Sequence, residues 1–208
     1  MGLPSPSRLN PARFPRLASY MTRLPNAIAS YPECQSKASA YRHLIEKFDL
    51  AAERRSLPPE VVELIDHPAP VSAWIPSVLY NAFFLATVDR FFVGNERKAI
   101  DYYHDLRAQM FRSPLYRVMM MVVSPQRILR GAGKRWEAFH RGTAFGLEHG
   151  DDWARARLTY PHGLQTALTV EMLCAGLRAA LEAAGAADVT LVIEDCTFEQ
   201  ANLSGTWK

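Results

Sequence analysis

Cysteine is scarce in this chain of 208 residues, which contains only three. Cys34, Cys174 and Cys196 lie far apart and form no C-x-x-C pair. An odd number of widely spaced cysteines does not predict a disulfide framework, and zinc sites need closely spaced ligand pairs. We therefore expect reduced, partly buried cysteines and no metal site.

The signature motifs of common enzyme classes are also missing. The sequence contains no G-x-S-x-G, no P-loop and no G-x-G-x-x-G, and its six histidines include no H-x-x-x-H pair. These motifs position the nucleophile, the phosphates or the metal ligands of hydrolases, kinases, dehydrogenases and metalloproteases. The sequence therefore identifies no catalytic residue, which favours a non-catalytic protein and leaves an enzyme open.

No uninterrupted apolar run is long enough for a membrane span, which requires roughly 18 residues. The best candidate, Ile75–Val93, contains Asn81, Asp89 and Arg90. The first residues of the chain also lack the apolar segment of a secretory signal. We expect a cytoplasmic protein that does not associate with a membrane.

The hydrophobic content of 49% predicts a folded core, whereas the first 16 residues predict a different kind of segment. They contain four prolines and three arginines but no acid, a composition typical of an extended or disordered arm. We therefore divide the chain into an arm (residues 1–16) and a single α+β domain (residues 17–208). The domain has a helical part (residues 36–142) and a sheet part (residues 143–208).

Apolar residues recur at helical spacing through the helical part. The strongest pattern runs from Ser72 to Val93 and is apolar around most of its circumference, so neighbouring elements must cover it. The pair Ser124-Pro125 offers a hydroxyl cap followed by proline and predicts a further helix that continues to Arg141. Strongly apolar helices in a protein of this size often complete their burial against a second copy, so we expect a homodimer.

The sheet part alternates in hydrophobicity with a period of two. Strands are predicted over Thr143–Glu148 and Trp153–Tyr160, followed by a helix over Gly163–Ala184 and two strands around Leu191 and Leu203. Antiparallel strands with one apolar face pack that face against helices. The predicted fold class is α+β, in which an amino-terminal helical layer packs on a carboxy-terminal four-stranded antiparallel β-β-α-β-β unit.

Positive charge is concentrated in one stretch, Arg107–Arg141, which has eight basic residues and a single acid, Glu137. Because the whole chain carries only +3, this stretch is the candidate anion-facing surface. On a helical wheel of the segment after Ser124, cations cluster on one side and apolar residues on the other. The cations are Arg127, Arg130, Lys134 and Arg141, and the apolar side holds Ile128, Leu129, Ala132, Trp136 and Phe139.

Three interpretations of this cationic row stay open. It can be a solvated helix face paired with acids such as Glu60, Glu63 or Asp66. It can be an anion-recognition surface, because arginine presents a rigid fork suited to carboxylate or phosphate. Nucleic acid is the least favoured partner, since the aromatic residues of this helix are predicted to face the core.

Several short segments resemble a family of uncharacterised proteins. They are Leu24-Pro25, Lys37–Ser39, Val71–Pro76, Ser113–Arg117, Ser124-Pro125, Arg135–Gly142 and Arg178–Ala186. Together they resemble a family of small proteins that is multiplied into many paralogues in myxobacteria. The resemblance runs from about residue 24 to Trp207 and implies no established activity, so candidate site residues are chosen on physical grounds.

The order of the predicted elements carries a second resemblance, at the level of the fold. Helices followed by a β-β-α-β-β unit resemble the ligand-sensing superfamily that includes 4-vinyl-reductase-type domains and haem nitric-oxide-binding domains. This resemblance implies a small-molecule cavity between helices and sheet. The chain lacks a Tyr-x-Ser-x-Arg signature that would hold the haem propionates, so haem is disfavoured and we expect no cofactor.

We therefore expect a non-catalytic or regulatory protein that binds a small-molecule or anionic ligand. The residues selected for the ligand site are Tyr116, Arg117, Trp136, His140 and Arg141. Tyr116 and Trp136 would form apolar walls, the two arginines would pair an anionic group, and His140 would donate a hydrogen bond or titrate near neutral pH. The alternatives are an enzyme or accessory factor of specialised-metabolite biosynthesis, and a module that binds a protein or peptide.

Overall fold

The structure is a computed structural model that describes residues 9–112 and 124–208. It has the α+β fold class that the sequence predicts. The chain divides into two compact units, Met1–Gly94 and Asn95–Lys208. The predicted division into an arm and one domain over residues 17–208 stays a prediction, because a compact unit is not by itself an independently folding domain.

The described part of the amino-terminal unit is built from short helices and an antiparallel strand pair. Its elements are α1 (Pro15–Arg23), a 3₁₀ turn (Ala27–Ala29), β1 (Gln35–Lys37), α2 (Ser39–Lys47), a 3₁₀ helix (Ala51–Ser56), α3 (Pro59–Asp66), β2 (Trp74–Pro76), α4 (Ser77–Thr87) and a π-helix (Val88–Phe92). Strands β1 and β2 pair with Ser36 opposite Ile75. These elements surround one apolar helix.

That helix, α4, is the core of the amino-terminal unit. All 11 of its residues are buried, with α1, α3, β1 and β2 packed around it. The predicted helix over Ser72–Val93 is wrong at its start, because Trp74–Pro76 is a strand and the residue before a proline disfavours helical backbone. Neither α4 nor any other helix in the described ranges is long and apolar enough to cross a bilayer. Since the unit itself covers α4, this helix gives no reason for a second copy to bury it.

A buried carboxylate on the π-helix holds the first turn of α1. Asp89 accepts hydrogen bonds from the backbone N–H groups of Arg16 (3.0 Å) and Leu17 (3.1 Å), and it pairs with the Arg16 guanidinium at 3.1 Å. Phe14 at the start of α1 provides no side-chain cap, so Asp89 satisfies N–H groups that a helix start leaves without partners. Burial raises the pKa of Asp89, although the hydrogen bonds from Leu17 and Arg16 oppose the rise.

A second buried carboxylate ties residues near the amino terminus to the same unit. Glu53 is 2% exposed and accepts hydrogen bonds from Arg13 at 2.6 Å and Arg90 at 2.7 Å, which compensate the loss of its hydration. Phe14, which follows Arg13 in the sequence, is fully buried. Of the predicted arm, residues 10–16 thus pack into the unit, and residues 1–8 lie outside the described residues.

The described part of the carboxy-terminal unit contains the predicted four-stranded sheet. Its elements are α5 (Glu96–Arg112), α6 (Pro125–Arg130), α7 (Ala132–Phe139), β3 (His140–Arg141), β4 (Ala144–His149), β5 (Trp153–Thr159), α8 (Ala167–Ala183), β6 (Thr190–Cys196) and β7 (Gln200–Thr206). The strand order is β4-β5-β7-β6, with all neighbours antiparallel. The β-β-α-β-β order is confirmed, and α8 begins later than predicted because Thr166 caps it.

The four-stranded sheet has an apolar inner face and a polar outer face. Along β5, Ala154 and Leu158 are buried, whereas Arg155 and Arg157 are exposed. The paired residues of β4 and β7 continue the same alternation across the sheet. This alternation is the one that the sequence predicts for β5.

Helices α5 and α8 pack along each other and are joined by a polar contact. His104 Nε2 lies 2.8 Å from Glu182 Oε2, and Arg178 Nε donates to the same carboxylate at 2.7 Å. Burial raises the pKa of Glu182, but the hydrogen bonds from Arg178 and His104 outweigh it, so the pKa lies below the ordinary value. The carboxylate therefore stays ionised between the two helices.

The cap on α1 predicts a large difference between two aspartate substitutions. Asp89→Ala removes the acceptor of two backbone N–H groups and leaves Arg16 without this partner, so we expect a loss of about 2–4 kcal/mol in the free energy of unfolding. Asp101→Ala, which removes an exposed helical pair with Arg97, should cost at most about 0.5 kcal/mol. Urea unfolding followed by circular dichroism measures both. Equal midpoints for the two variants would contradict the role of Asp89.

Candidate functional site

The ligand-site residues selected from the sequence do not all lie together. Tyr116 and Arg117 fall outside the described residues. Trp136 lies on α7 and is buried, whereas His140 and Arg141 form β3. The structure brings Trp136 and His140 into contact and leaves Arg141 exposed next to them in the chain.

The segment after Ser124 forms two helices, where the sequence predicts one. Arg135 donates from Nη1 to the backbone carbonyls of Arg127 (2.9 Å) and Ile128 (2.7 Å), so its guanidinium caps the carboxyl end of α6. A side chain at Gly131 would collide with that guanidinium. The glycine between α6 and α7 therefore leaves room for this cap, and the charge of Arg135 is used inside the segment.

The predicted row of four cations on one helix is wrong in its geometry. Arg127 and Arg130 lie on α6, Lys134 on α7 and Arg141 on β3, so no single helical wheel relates them. All four side chains are exposed, and we call them the basic surface. One further cation of the basic stretch, Arg107, is buried.

Three rings form a stack around Trp136, which we call the ring stack. The indole lies 4.0 Å from the His140 ring and 4.9 Å from the Phe145 ring, centroid to centroid, with interplanar angles of 23° and 15°. Trp136 Nε1 donates to Thr143 Oγ1 at 3.0 Å. Stacked aromatic pairs contribute about 0.5–1.5 kcal/mol beyond the area they bury, and the indole has no other polar atom to satisfy. The ring is thus fixed by two neighbours and at its polar edge.

The imidazole of His140 is neutral at physiological pH. Burial lowers the pKa of His140 to about 4, and the positive charge of Arg107 contributes to the decrease. Arg107 is itself buried, and its Nε donates to the Tyr103 hydroxyl at 2.8 Å. The expectation that His140 titrates near neutral pH is therefore wrong, and the imidazole is uncharged.

One aromatic residue of the predicted core face lies outside it. Phe139 is 44% exposed, because α7 ends at this residue and the chain continues as β3. Phe139 therefore exposes an apolar side chain in the segment that also contains Trp136 and Arg141.

An apolar cavity of about 60 Å³ lies between α6, α7, α8 and the inner face of the sheet. Several small side chains line it, among them Ala132, Ala156 and Ala180. Phe145 belongs both to the cavity wall and to the ring stack. Cavity and ring stack are therefore contiguous within this unit.

Sequence reasoning missed three residues of this region. The strand pattern places Phe145 on the apolar face but does not say which helical residue it meets. It also makes Thr143 the first residue of a strand and gives no sign of its hydrogen bond with Trp136. Arg107 counts as a surface cation in the sequence, although Tyr103, four residues earlier on the same helix, supplies a signal for a local partner. The contacts of Phe145 and Thr143 with Trp136 depend on how the chain turns from α7 into the sheet.

Comparison with known proteins identifies a fold and no family. No family model matches the chain, and no curated protein matches it. An Fe(II) unliganded H-NOX mutant from K. algicida is 8% identical and matches with a TM-score of 0.51 over 83% of this chain and 96% of that chain. A Cs H-NOX mutant with 4-cyano-L-phenylalanine is 9% identical, with a TM-score of 0.50 and the same coverage of 83% and 96%. The resemblance to haem nitric-oxide-binding domains is confirmed for the fold alone, and the myxobacterial family stays a prediction.

Neither His104 nor His140 is placed to serve as an axial ligand of a haem within the carboxy-terminal unit. An axial histidine needs an unengaged ring nitrogen beside a large apolar cavity, and ligand pockets usually measure roughly 300 Å³ or more. Both ring nitrogens of His104 face acids, Asp105 at 3.2 Å and Glu182 at 2.8 Å, and His140 stacks on Trp136. The apolar cavity of the carboxy-terminal unit measures about 60 Å³. Over residues 9–112 and 124–208, no group of three His, Cys, Asp or Glu side chains could hold a metal ion.

The low pKa of His140 predicts a specific pH dependence of stability. The unfolded imidazole binds a proton below about pH 6.5, whereas the folded one resists protonation until about pH 4. Wild-type protein should therefore lose about 2–3 kcal/mol between pH 7 and pH 4 that a His140→Phe variant retains. Chemical unfolding across this range measures the difference. The exposed His67→Phe substitution is the control, and an identical pH profile for wild type and His140→Phe would refute the assignment.

Proposed function

We propose that this protein is a non-catalytic ligand-binding protein with a sensory or regulatory role. Its ligand is a small anion that has a flat apolar part, and it binds at Trp136, His140 and Arg141. Tyr116 and Arg117, which lie outside the described residues, are proposed as further members of the site. The observation that carries the proposal is the ring stack with its neutral imidazole, adjacent in the chain to exposed cations.

The ring stack supports the apolar part of this proposal. Trp136 is held by Phe145, His140 and Thr143, so little side-chain freedom is left to lose when a ligand contacts it. Binding sites gain affinity when their side chains are already ordered. Phe139, 44% exposed at the end of α7, offers further apolar surface in the same segment.

The neutral state of His140 supports recognition in preference to catalysis. A general base works best with a pKa near the operating pH, and the pKa of His140 is about 4. At neutral pH the ring carries no charge and contributes its flat surface to the ring stack. It also avoids a second buried positive charge near Arg107.

The basic surface supports the anionic part. Arg141 follows His140 directly and its guanidinium suits a carboxylate or phosphate oxygen pair. Within residues 9–112 and 124–208, Arg130 and Lys134 form no ion pair, so their charge contributes to attraction of an anion from solution. Arg127 adds a fourth exposed cation on α6.

The fold is consistent with this role. The H-NOX structures share the architecture, and one of them is described as Fe(II) unliganded, so this fold accommodates a bound group in that protein. In the present chain the cavity beside Phe145 measures about 60 Å³, so it would accept a methyl-sized substituent, and the flat part of the ligand would lie outside it. The myxobacterial family and the use of this fold for sensing remain proposals.

Native mass spectrometry of the protein as purified, together with its absorbance spectrum, is the first test. We expect a bound mass that is lost on unfolding, and no Soret band. A Soret band would show that the protein binds haem, which contradicts the expectation of no cofactor. Turnover of the bound compound would show that the protein is an enzyme and contradict the proposed sensory role.

A defined probe tests the site itself. Benzoate combines a flat ring with a carboxylate, so it should raise the midpoint of thermal unfolding more than the neutral benzamide does. Arg141→Ala should reduce benzoate affinity about tenfold, which corresponds to the loss of one charge-assisted hydrogen bond. Arg97→Ala, an exposed arginine on α5, is the matched control. The proposal fails if benzamide and benzoate act equally, or if the two arginine variants bind benzoate alike.

A further inference from the structure

The outer face of the four-stranded sheet carries a pattern that the proposed ligand site does not use. In β5 the outward residues are Trp153, Arg155 and Arg157, and the register sets Glu148 of β4 directly opposite Arg155. Gly146 of β4 lies directly opposite Arg157. Each outward arginine of β5 therefore has a neighbour on β4 that is either an acid or a glycine.

This face has the residue types that protein interfaces use. Trp153 is 41% exposed and Val192 of β6 is 48% exposed, which leaves two large apolar side chains in solvent. Tryptophan and arginine are enriched among the residues that contribute most to binding between proteins. A groove of about 770 Å³ runs over the face, lined by Gly146, Arg155 and Arg157 among others.

The charged side chains of this face make contacts within the described part of the chain that leave their charges unpaired, among them the Arg155 guanidinium, which lies 5.9 Å from the centroid of the Trp153 ring. Across residues 9–112 and 124–208, Arg155, Arg157 and Glu148 form no ion pair. Arg157 Nε donates to Asn202 Oδ1 at 3.2 Å, and Glu194 accepts from the Ser204 hydroxyl. Two arginines and two glutamates make the groove neutral in net charge.

We propose that the outer face binds a second copy of this chain, with a twofold axis that runs parallel to the strands between β4 and β5. A twofold interface is self-complementary, so residue i of one copy contacts residue j of the other and the reverse. Face-to-face sheets pack about 10 Å apart, a distance that an arginine and a glutamate span together. This interface lies on the opposite side of the sheet from Phe145 and does not rest on the proposed ligand.

The register fixes what meets across that axis. Glu148 of one copy faces Arg155 of the other, and the symmetric contact repeats it. Arg157 of one copy packs over Gly146 of the other, because glycine has no side chain to occupy that space. An added Cβ at Gly146 would meet its nearest neighbour, the Arg157 carbonyl, only at 3.9 Å, so the space above it is open within the chain.

Charge complementarity favours a copy over other occupants. A strongly acidic partner would approach Glu148 and Glu194, and a strongly basic one would approach Arg155 and Arg157, which costs energy in either case. Rotation about the twofold axis places Arg155 of each copy against Glu148 of the other, so the charges of β4 and β5 are matched by a second copy. The sequence analysis expects a homodimer that buries apolar helices, whereas the dimer proposed here uses the outer face of the sheet.

Sedimentation equilibrium of the full chain, from about 1 to about 200 µM, tests the interface. Wild type is expected to dimerise, and Arg155→Glu to weaken the dimer at least about tenfold. The double variant Glu148→Arg with Arg155→Glu restores the opposite charges and should recover most of the affinity. Gly146→Leu should keep the thermal unfolding midpoint of wild type and still weaken the dimer at least about tenfold.

Arg97→Glu on α5 changes the net charge by the same amount away from this face and should leave dimerisation unchanged. A wild-type chain that stays monomeric throughout the range would overturn the proposal. So would a dimer that neither Arg155→Glu nor Gly146→Leu weakens, or one that Arg97→Glu weakens equally. Binding of poly-glutamate by a monomeric chain would assign the face to an acidic partner instead.

Discussion

The alternation of side chains along the four-stranded sheet is the constraint on which the carboxy-terminal unit depends. Because successive residues of a strand point to opposite faces, a single register decides which residues enter the core and which face solvent. Phe145 points inward and meets Trp136, while Gly146, the next residue, points outward. A register slip of one residue would exchange these roles and separate the ring stack from the sheet.

The two units handle buried polar groups in different ways. In the amino-terminal unit, Asp89 and Glu53 are buried next to arginines, and each carboxylate joins segments distant in the chain. In the carboxy-terminal unit, His140 is half-buried near a cation, and desolvation lowers its pKa so that it stays uncharged. Paired charges fix structure in the first unit, whereas an uncharged ring packs against Trp136 in the second.

The sequence predicts the elements whose pattern is local. The β-β-α-β-β order follows from period-two alternation and from glycine turns, and each of its elements occurs near its predicted place. The apolar segment that contains α4 is also predicted as core, although its start is displaced by the strand that ends at Pro76. These features need no information about distant neighbours.

The site is harder to predict, because it depends on where segments meet. The helical wheel assigns Phe139 to the core and Arg141 to the cationic row, but the helix ends between them and both become exposed. Arg107 looks like a surface cation until its contact with Tyr103 is known. The stacking of His140 on Trp136 depends on the turn from α7 into β3, which single-sequence periodicity does not indicate.

The close approach of Arg135 to Gly131 has a consequence for how this segment can change during evolution. Any side chain at position 131 would displace the guanidinium, and loss of Arg135 would leave the last carbonyls of α6 without their donor. Because the guanidinium is the far end of a flexible side chain, a side chain at 131 moves it away from α6 without disturbing the backbone. Substitution at position 131 and loss of Arg135 therefore have the same effect, an uncapped end of α6, and the two changes together should cost little more than either one alone.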